Sequence, residues 1–146
     1  MMKYYLSLGA NLGNREQTIQ QALKEIEQHI GHVLRCSSYY YSAPWGFESA
    51  HEFCNLCCCV ETELEPMAML AATQTIEKSL GRTHKSHDGQ YADRKIDIDI
   101  ILAYNQDGQE IECRITNEQN ENLLTIPHPL WQERDFVKVP LAEIMQ

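Results

Sequence analysis

No apolar run in this 146-residue chain approaches the roughly 20 residues that a membrane-spanning helix needs. The N-terminus, MMKYYLSLGANLGN, lacks the basic segment, long apolar stretch and cleavage site of a secretory signal, so no export is expected. Internal repeats, linkers and low-complexity tracts are also missing, which argues against a repeat array or a string of domains. Positive charge is scarce: 12 Lys and Arg stand against 21 Asp and Glu, a net charge of -9. Such a balance disfavours nucleic acid and anionic membranes as partners. These absences predict a cytoplasmic protein with one domain over residues 1–146, long enough to bury a single core.

Six cysteines are present, four of them in FCNLCCCVE (Cys54, Cys57, Cys58, Cys59), with Cys36 and Cys113 elsewhere. A zinc site would need a second Cys pair or a His-x₃-His, and neither follows. Cys57, Cys58 and Cys59 are consecutive, so in a strand they point to alternate faces. They are expected to be small core residues of a reduced protein.

Strand and helix signals alternate along the chain. YYLSLGANLGN is a strand running into a Gly-punctuated loop. Asn14 and Gln17 resemble a capping box, after which Ile19, Ala22, Leu23, Ile26 and Ile30 recur at helical spacing until Gly31. HVLRCSSYYY is the second strand, SAPWGFESAHE a loop and FCNLCCCVETEL the third strand. Pro66 opens a second helix that buries Met69, Ala72, Ile76 and Leu80 and ends at Gly81. A polar loop, 82–94, leads into the strand IDIDIIL. The Asp-Gly of NQDGQEI predicts a hairpin whose return strand starts near Ile111. The prolines of TIPHPLWQERDFV limit helix, and a short terminal helix or turn follows. The succession β-α-β-β-α-β predicts an α+β, ferredoxin-like fold: an antiparallel sheet with helices on one face and the other free for a tail or a ligand.

Asp97 and Asp99 alternate with Ile96, Ile98 and Ile100, so both carboxylates share one strand face, about 6–7 Å apart at the Cα atoms. Aspartate is a poor strand residue, and two of them repel unless a cation lies between. Mg²⁺ takes one or two carboxylates together with water and substrate phosphates. An Asp-x-Asp alone is more often a solvated face with cross-strand lysines. The surroundings shift the balance: Arg82, Lys85, Arg94 and Lys95 fall in one 14-residue window, and His128 and Arg134 follow in the tail. These groups could grip phosphates. Gln74 and Glu77 share a face of the second helix, which alone means little. Trp45, Phe53 and Phe136 could stack on a flat heterocycle with Asn55 bonding its edge, or simply pack in the core.

Taken together, YLSLGANLGNR, SSYYYSAPWG, FCNLCCCVET, TQTIEKSLGR, DRKIDIDIIL and LTIPHPLWQERDFVKVPLAEI resemble the 6-hydroxymethyl-7,8-dihydropterin pyrophosphokinases of folate biosynthesis, over nearly the whole chain. The resemblance implies transfer of the diphosphate of ATP to the hydroxymethyl oxygen of the pterin, with release of AMP. It also implies the ferredoxin-like fold, with the C-terminal segment closing the site. Two Mg²⁺ ions are implied at Asp97 and Asp99, with Arg82, Arg94 and His128 completing the catalytic set. Around ATP it sets Gln74, Glu77, Arg82, Tyr91, Arg94, Ile100, Thr125, His128 and Arg134. Around the pterin it sets Ser42, Ala43, Pro44, Trp45, Phe53, Asn55, Tyr91 and Phe136. The implied partners are these two small molecules, and a monomer is expected.

The chain departs from the family's usual pattern at His84, Gln90 and Leu123, where arginine is common, at Tyr91 in place of Trp, and at Pro129 in place of a tyrosine. Fewer fixed cations imply slower turnover or weaker ATP binding. The alternative is a catalytically weakened pterin- or nucleotide-binding module on the same fold. A ligand-free interaction module would leave the clustered Asp, Arg and His unexplained.

Overall fold

The computed structural model describes residues 1–43, 52–81 and 95–145. Its centre is the β-rich segment MKYYLSLGA, which forms strand β1 (Met2–Ala10). Helix α1 (Arg15–His29) follows, then strands β2 (His32–Cys36), β3 (Tyr40–Ser42) and β4 (Phe53–Thr62). Helix α2 (Pro66–Ser79) leads to strand β5 (Asp97–Tyr104). β1 pairs antiparallel with β4 on one side and β5 on the other, while β2 and β3 both pair with the far side of β4. With β2 and β3 counted as two pieces of one strand, this is the ferredoxin-like βαββαβ sheet.

Local chemistry sets the helix ends. Asn14 caps α1, its Oδ1 accepting from the Gln17 backbone N–H at 3.1 Å. Pro66 lies in the first turn of α2, where its missing N–H costs nothing. Gly31, expected as a helix-ending glycine, is there for space: a Cβ on it would collide with the backbone carbonyl of Glu61 on β4. Gly81 does hold a left-handed conformation, φ +107°, just past α2.

Each sheet face has its own core. Tyr4, Leu6, Leu8, Leu56, Cys58, Ile98 and Ile100 pack under α1 and α2, against Ile19, Ile26, Met69 and Ile76. Tyr5, Cys57, Cys59, Ile101 and Leu102 face the other way, under helix α3 (Asp135–Ile144) and its Val137, Leu141 and Ile144. The consecutive cysteines therefore serve both cores, as the alternation required. Burial pushes the Cys57 thiol up to about 12, which leaves it unreactive. Among the described residues, no group of three or more His, Cys, Asp or Glu is placed to hold a metal ion.

Two expectations change. HVLRCSSYYY is not one strand: Ser38 leaves the ladder, and its N–H and hydroxyl both donate to the Glu143 carboxylate of α3, each at 2.9 Å. Side-chain hydroxyls compete with ladder bonds in this way. The Asp107-Gly108 turn forms, but its return segment makes no strand with β5: among the described residues it pairs at Glu110, opposite Tyr104, and through the Ile111 N–H, which donates to Ala103 O. It then departs as β6 (Cys113–Thr116) to pair with β7 (Asn122–Ile126) in a separate two-stranded ribbon.

Candidate active site

The aspartates sit where small side chains leave room for them. Across the β1–β5 ladder Asp97 lies opposite Gly9 and Asp99 opposite Ser7. The lysine partners of a merely solvated strand face are therefore not the ladder neighbours. One strand further, Gly9 lies opposite Asn55 of β4. A Cβ on Gly9 would come within 3.1 Å of Asn55 Oδ1 and 3.6 Å of the Phe53 ring. Gly9 thus keeps the floor between carboxylates and amide open.

Two cavities meet at Asp97 and Asp99. The first is lined by Ser7, Gly9, Ser42, Ala43, Phe53 and Asn55 from the sheet and by Arg134 and Phe136 from the C-terminal segment, with Asp97 and Asp99 at its edge. Asn55 Nδ2 donates to Tyr40 O at 3.0 Å and to Ser42 Oγ at 2.8 Å. Both amide protons being directed at those neighbours, the Oδ1 acceptor is turned towards Gly9. Arg134 is buried, its guanidinium 5.7 Å from the centroid of the Phe136 ring. A cavity walled by two phenyl rings, with an amide acceptor at its base, suits a flat heterocycle that carries N–H donors.

The second cavity is lined by Gln74 and Glu77 of α2, by Ile98 and Ile100 of β5, and by Thr125, His128 and Pro129 of the tail. Asp97 and Asp99 line it as well. Glu77 is buried, and its Oε2 accepts the N–H of Ile98, the residue between the two aspartates, at 2.7 Å. A β-bulge brings the tail alongside: the β1–β5 register shifts between Tyr5 and Leu6, leaving Ile101 as an extra residue. The Ile101 carbonyl accepts the His128 backbone N–H at 2.9 Å.

His128 is held neutral. Burial, assisted by the Arg134 charge and opposed by Asp97, lowers its imidazole pKa from 6.5 to about 4. Nδ1 accepts the Leu130 N–H at 3.2 Å, so the one ring proton lies on Nε2 and is available as a donor to an anion. A depressed histidine pKa means that the unfolded chain binds a proton which the folded chain refuses. Stability is therefore fully present above pH 6.5 and declines as the pH falls towards 4. Urea unfolding at pH 6.5 and 4.5 checks this: wild type is expected to lose about 1 kcal/mol more than His128→Asn, solvent screening of the part-exposed ring included.

The model of one protein family matches residues 5–146, and its description is 7,8-dihydro-6-hydroxymethylpterin-pyrophosphokinase, HPPK. The chain belongs to the HPPK family. Two relatives bear the name 2-amino-4-hydroxy-6-hydroxymethyldihydropteridine pyrophosphokinase. That of Porphyromonas gingivalis is 41% identical over 140 residues, covering 96% of this chain and 88% of its own. That of Bacillus subtilis is 38% identical over 143 residues, covering 97% of this chain and 77% of its own. In three dimensions the chain is similar to wild-type Plasmodium falciparum HPPK-DHPS, with a TM-score of 0.72 over 97% of its residues. The identity there is 15%, which makes the likeness one of fold, and the chain spans 41% of that longer protein.

Of the residues that HPPK resemblance singled out, Ser42, Ala43, Phe53, Asn55 and Phe136 come together in the first cavity, and Arg134, expected around ATP, lines this cavity and is not among the residues lining the second. Gln74, Glu77, Ile100, Thr125 and His128 come together in the second. Pro44, Trp45, Arg82, Tyr91 and Arg94 lie outside the described residues, as do His84 and Gln90. Ser7, Gly9, Thr73 and Asn122 line the cavities without having been expected there. Only the first two left a trace in the sequence: small residues two apart in an otherwise apolar strand.

Proposed function

We propose that this chain carries out the reaction of its family: it transfers the diphosphate of ATP to the hydroxymethyl oxygen of 6-hydroxymethyl-7,8-dihydropterin, in folate biosynthesis. The new bond joins that oxygen to the β-phosphorus, the hydroxyl gives up its proton, the bond from the β-phosphorus to the α–β bridging oxygen breaks, and AMP leaves with the bridging oxygen. One observation carries the assignment of sites: Asp97 and Asp99 line both cavities, so a ligand in either meets the same carboxylates. The first cavity takes the pterin and the second takes ATP.

The donor set suits Mg²⁺. Asp97 and Asp99 are two hard oxygen donors beside a phosphate-sized space, and Mg²⁺ needs few protein carboxylates. Two ions held there would neutralise phosphate charge as the diphosphate moves. The remaining work is alignment and charge complementarity. Asn55 and the Phe53 and Phe136 rings orient the heterocycle. Neutral His128 donates from Nε2 to a phosphate oxygen. Arg134 lies over the Phe136 ring in the cavity that Asp97 and Asp99 also line, and so adds positive charge where the pterin meets the diphosphate. Arg82 and Arg94 supply further positive charge to the phosphates, and Pro44, Trp45 and Tyr91 complete the pterin walls. The protein works as a one-domain cytoplasmic monomer without nucleic acid. Its net charge of -9 supports the last point, and no described helix is long and apolar enough to cross a membrane.

AMP release tests the proposal. AMP is expected only when ATP, Mg²⁺ and 6-hydroxymethyl-7,8-dihydropterin are all present. Pterin binding with no AMP under any condition would make the chain a binding module instead.

A further inference from the structure

We propose that Arg15, on the sheet face opposite the first cavity, is a positioning residue for the pterin. This rests on the assignment of that cavity to the pterin.

Arg15 is the first residue of α1. Its Nη1 donates to the backbone carbonyl of Glu52 at 2.7 Å. Its guanidinium also lies over the Tyr41 ring, 5.3 Å from the centroid. The next residue, Glu16, accepts the Tyr41 hydroxyl at 2.9 Å and stands 3.8 Å from Arg15 Nη2. The first turn of α1 thus grips two strands at once. Glu52 immediately precedes Phe53, and Tyr41 immediately precedes Ser42. Ser42 and Phe53 form the last β3–β4 ladder pair among the described residues, and both line the first cavity.

Side-chain alternation decides how this grip acts. Ser42 faces the cavity, so Tyr41 faces the helix side, where α1 lies. Arg15 therefore touches no group bound in the cavity and works through the two strands. Strand ends fray, because each has lost ladder partners on one side. A staple on the helix side holds this end closed. On the cavity side, Ser42 Oγ in turn receives Asn55 Nδ2 at 2.8 Å, so the spacing of β3 from β4 also fixes the amide that faces Gly9. A guanidinium fits the role because one planar group both bonds a carbonyl and stacks on a ring.

Calorimetry separates this from a general structural role. 6-Hydroxymethylpterin is titrated into wild type, Arg15→Met and Arg15→Lys, each with Mg²⁺ and a non-hydrolysable ATP analogue. The nucleotide analogue is titrated separately, and thermal melts are recorded. Arg15→Met removes both contacts while keeping an unbranched, helix-compatible side chain, and is expected to weaken pterin binding about tenfold through lost preorganisation. Nucleotide affinity should stay within about twofold, because the staple does not reach the second cavity. Arg15→Lys keeps the carbonyl donor without the planar stack and should fall between. Unchanged pterin affinity in Arg15→Met overturns the proposal. So does a parallel loss of pterin affinity, nucleotide affinity and melting temperature, which would mark a structural residue. Wild type that binds nucleotide but no pterin would instead overturn the assignment of the cavity itself.

Discussion

Asp97→Asn is expected to lower the rate of AMP release by about 10³-fold with both substrates saturating, and Asp99→Asn by a similar factor. Asparagine keeps the shape of the side chain and loses its charge. The ladder partners Gly9 and Ser7 are small, and the substitution keeps the size of the side chain, so the fold should survive. What disappears is the anionic oxygen that a hard cation requires. Since both carboxylates border both cavities, each variant should also weaken metal-dependent nucleotide binding. Thermal melts alongside the AMP assay check the result. Rates within tenfold of wild type in both variants, with the fold intact, would remove the pair from the chemistry.

The second large effect is expected at Glu77. Its carboxylate holds the N–H of Ile98 at 2.7 Å, in a buried position between the two aspartates. Glu77→Ala leaves that buried donor without this acceptor, at a cost of about 2–3 kcal/mol. For a chain of this size that lowers the melting temperature by roughly 5–10 °C. Glu77→Gln keeps an acceptor of the same reach and should recover most of the loss. Activity should follow the same order, Ala well below Gln, because β5 carries both aspartates proposed to hold the metal. If Gln melts as low as Ala, the hydrogen bond is not what Glu77 contributes.

Periodicity and cap chemistry carried most of the fold. Asn14, Pro66 and the 3.6-residue spacing of Ile19, Ala22 and Ile26 are local signals, and the structure uses each of them locally. The Asp97–Asp99 face was legible for the same reason, since alternation is a property of the strand itself. Several of the misses are non-local. Nothing in HVLRCSSYYY announces that Ser38 will bond Glu143, which is supplied by a distant helix. The β6–β7 turn escaped notice because its left-handed position holds Asn120, φ +62°, where a glycine would have signalled it. Asn117 completes that turn by accepting the N–H groups of Gln119 and Glu121. The two cavities could not be read from spacing at all, since each gathers residues from separate elements. The family resemblance grouped most of them, but it passed over Ser7 and Gly9, whose part is to be small.

Helix α3 has a consequence in time as well as in space. Ser7 and Gly9 lie near one end of the sequence, and Arg134 and Phe136 near the other, yet they wall a single cavity. A chain leaving the ribosome therefore exposes the floor of that cavity long before its wall exists. The sheet face beneath, with Tyr5, Cys57, Ile101 and Leu102, stays bare until the last helix docks. Contacts so far apart in sequence are slow to form. Docking of α3 thus does two jobs in one step: it hides the sticky face of a nascent chain, and it completes the cavity proposed for the pterin.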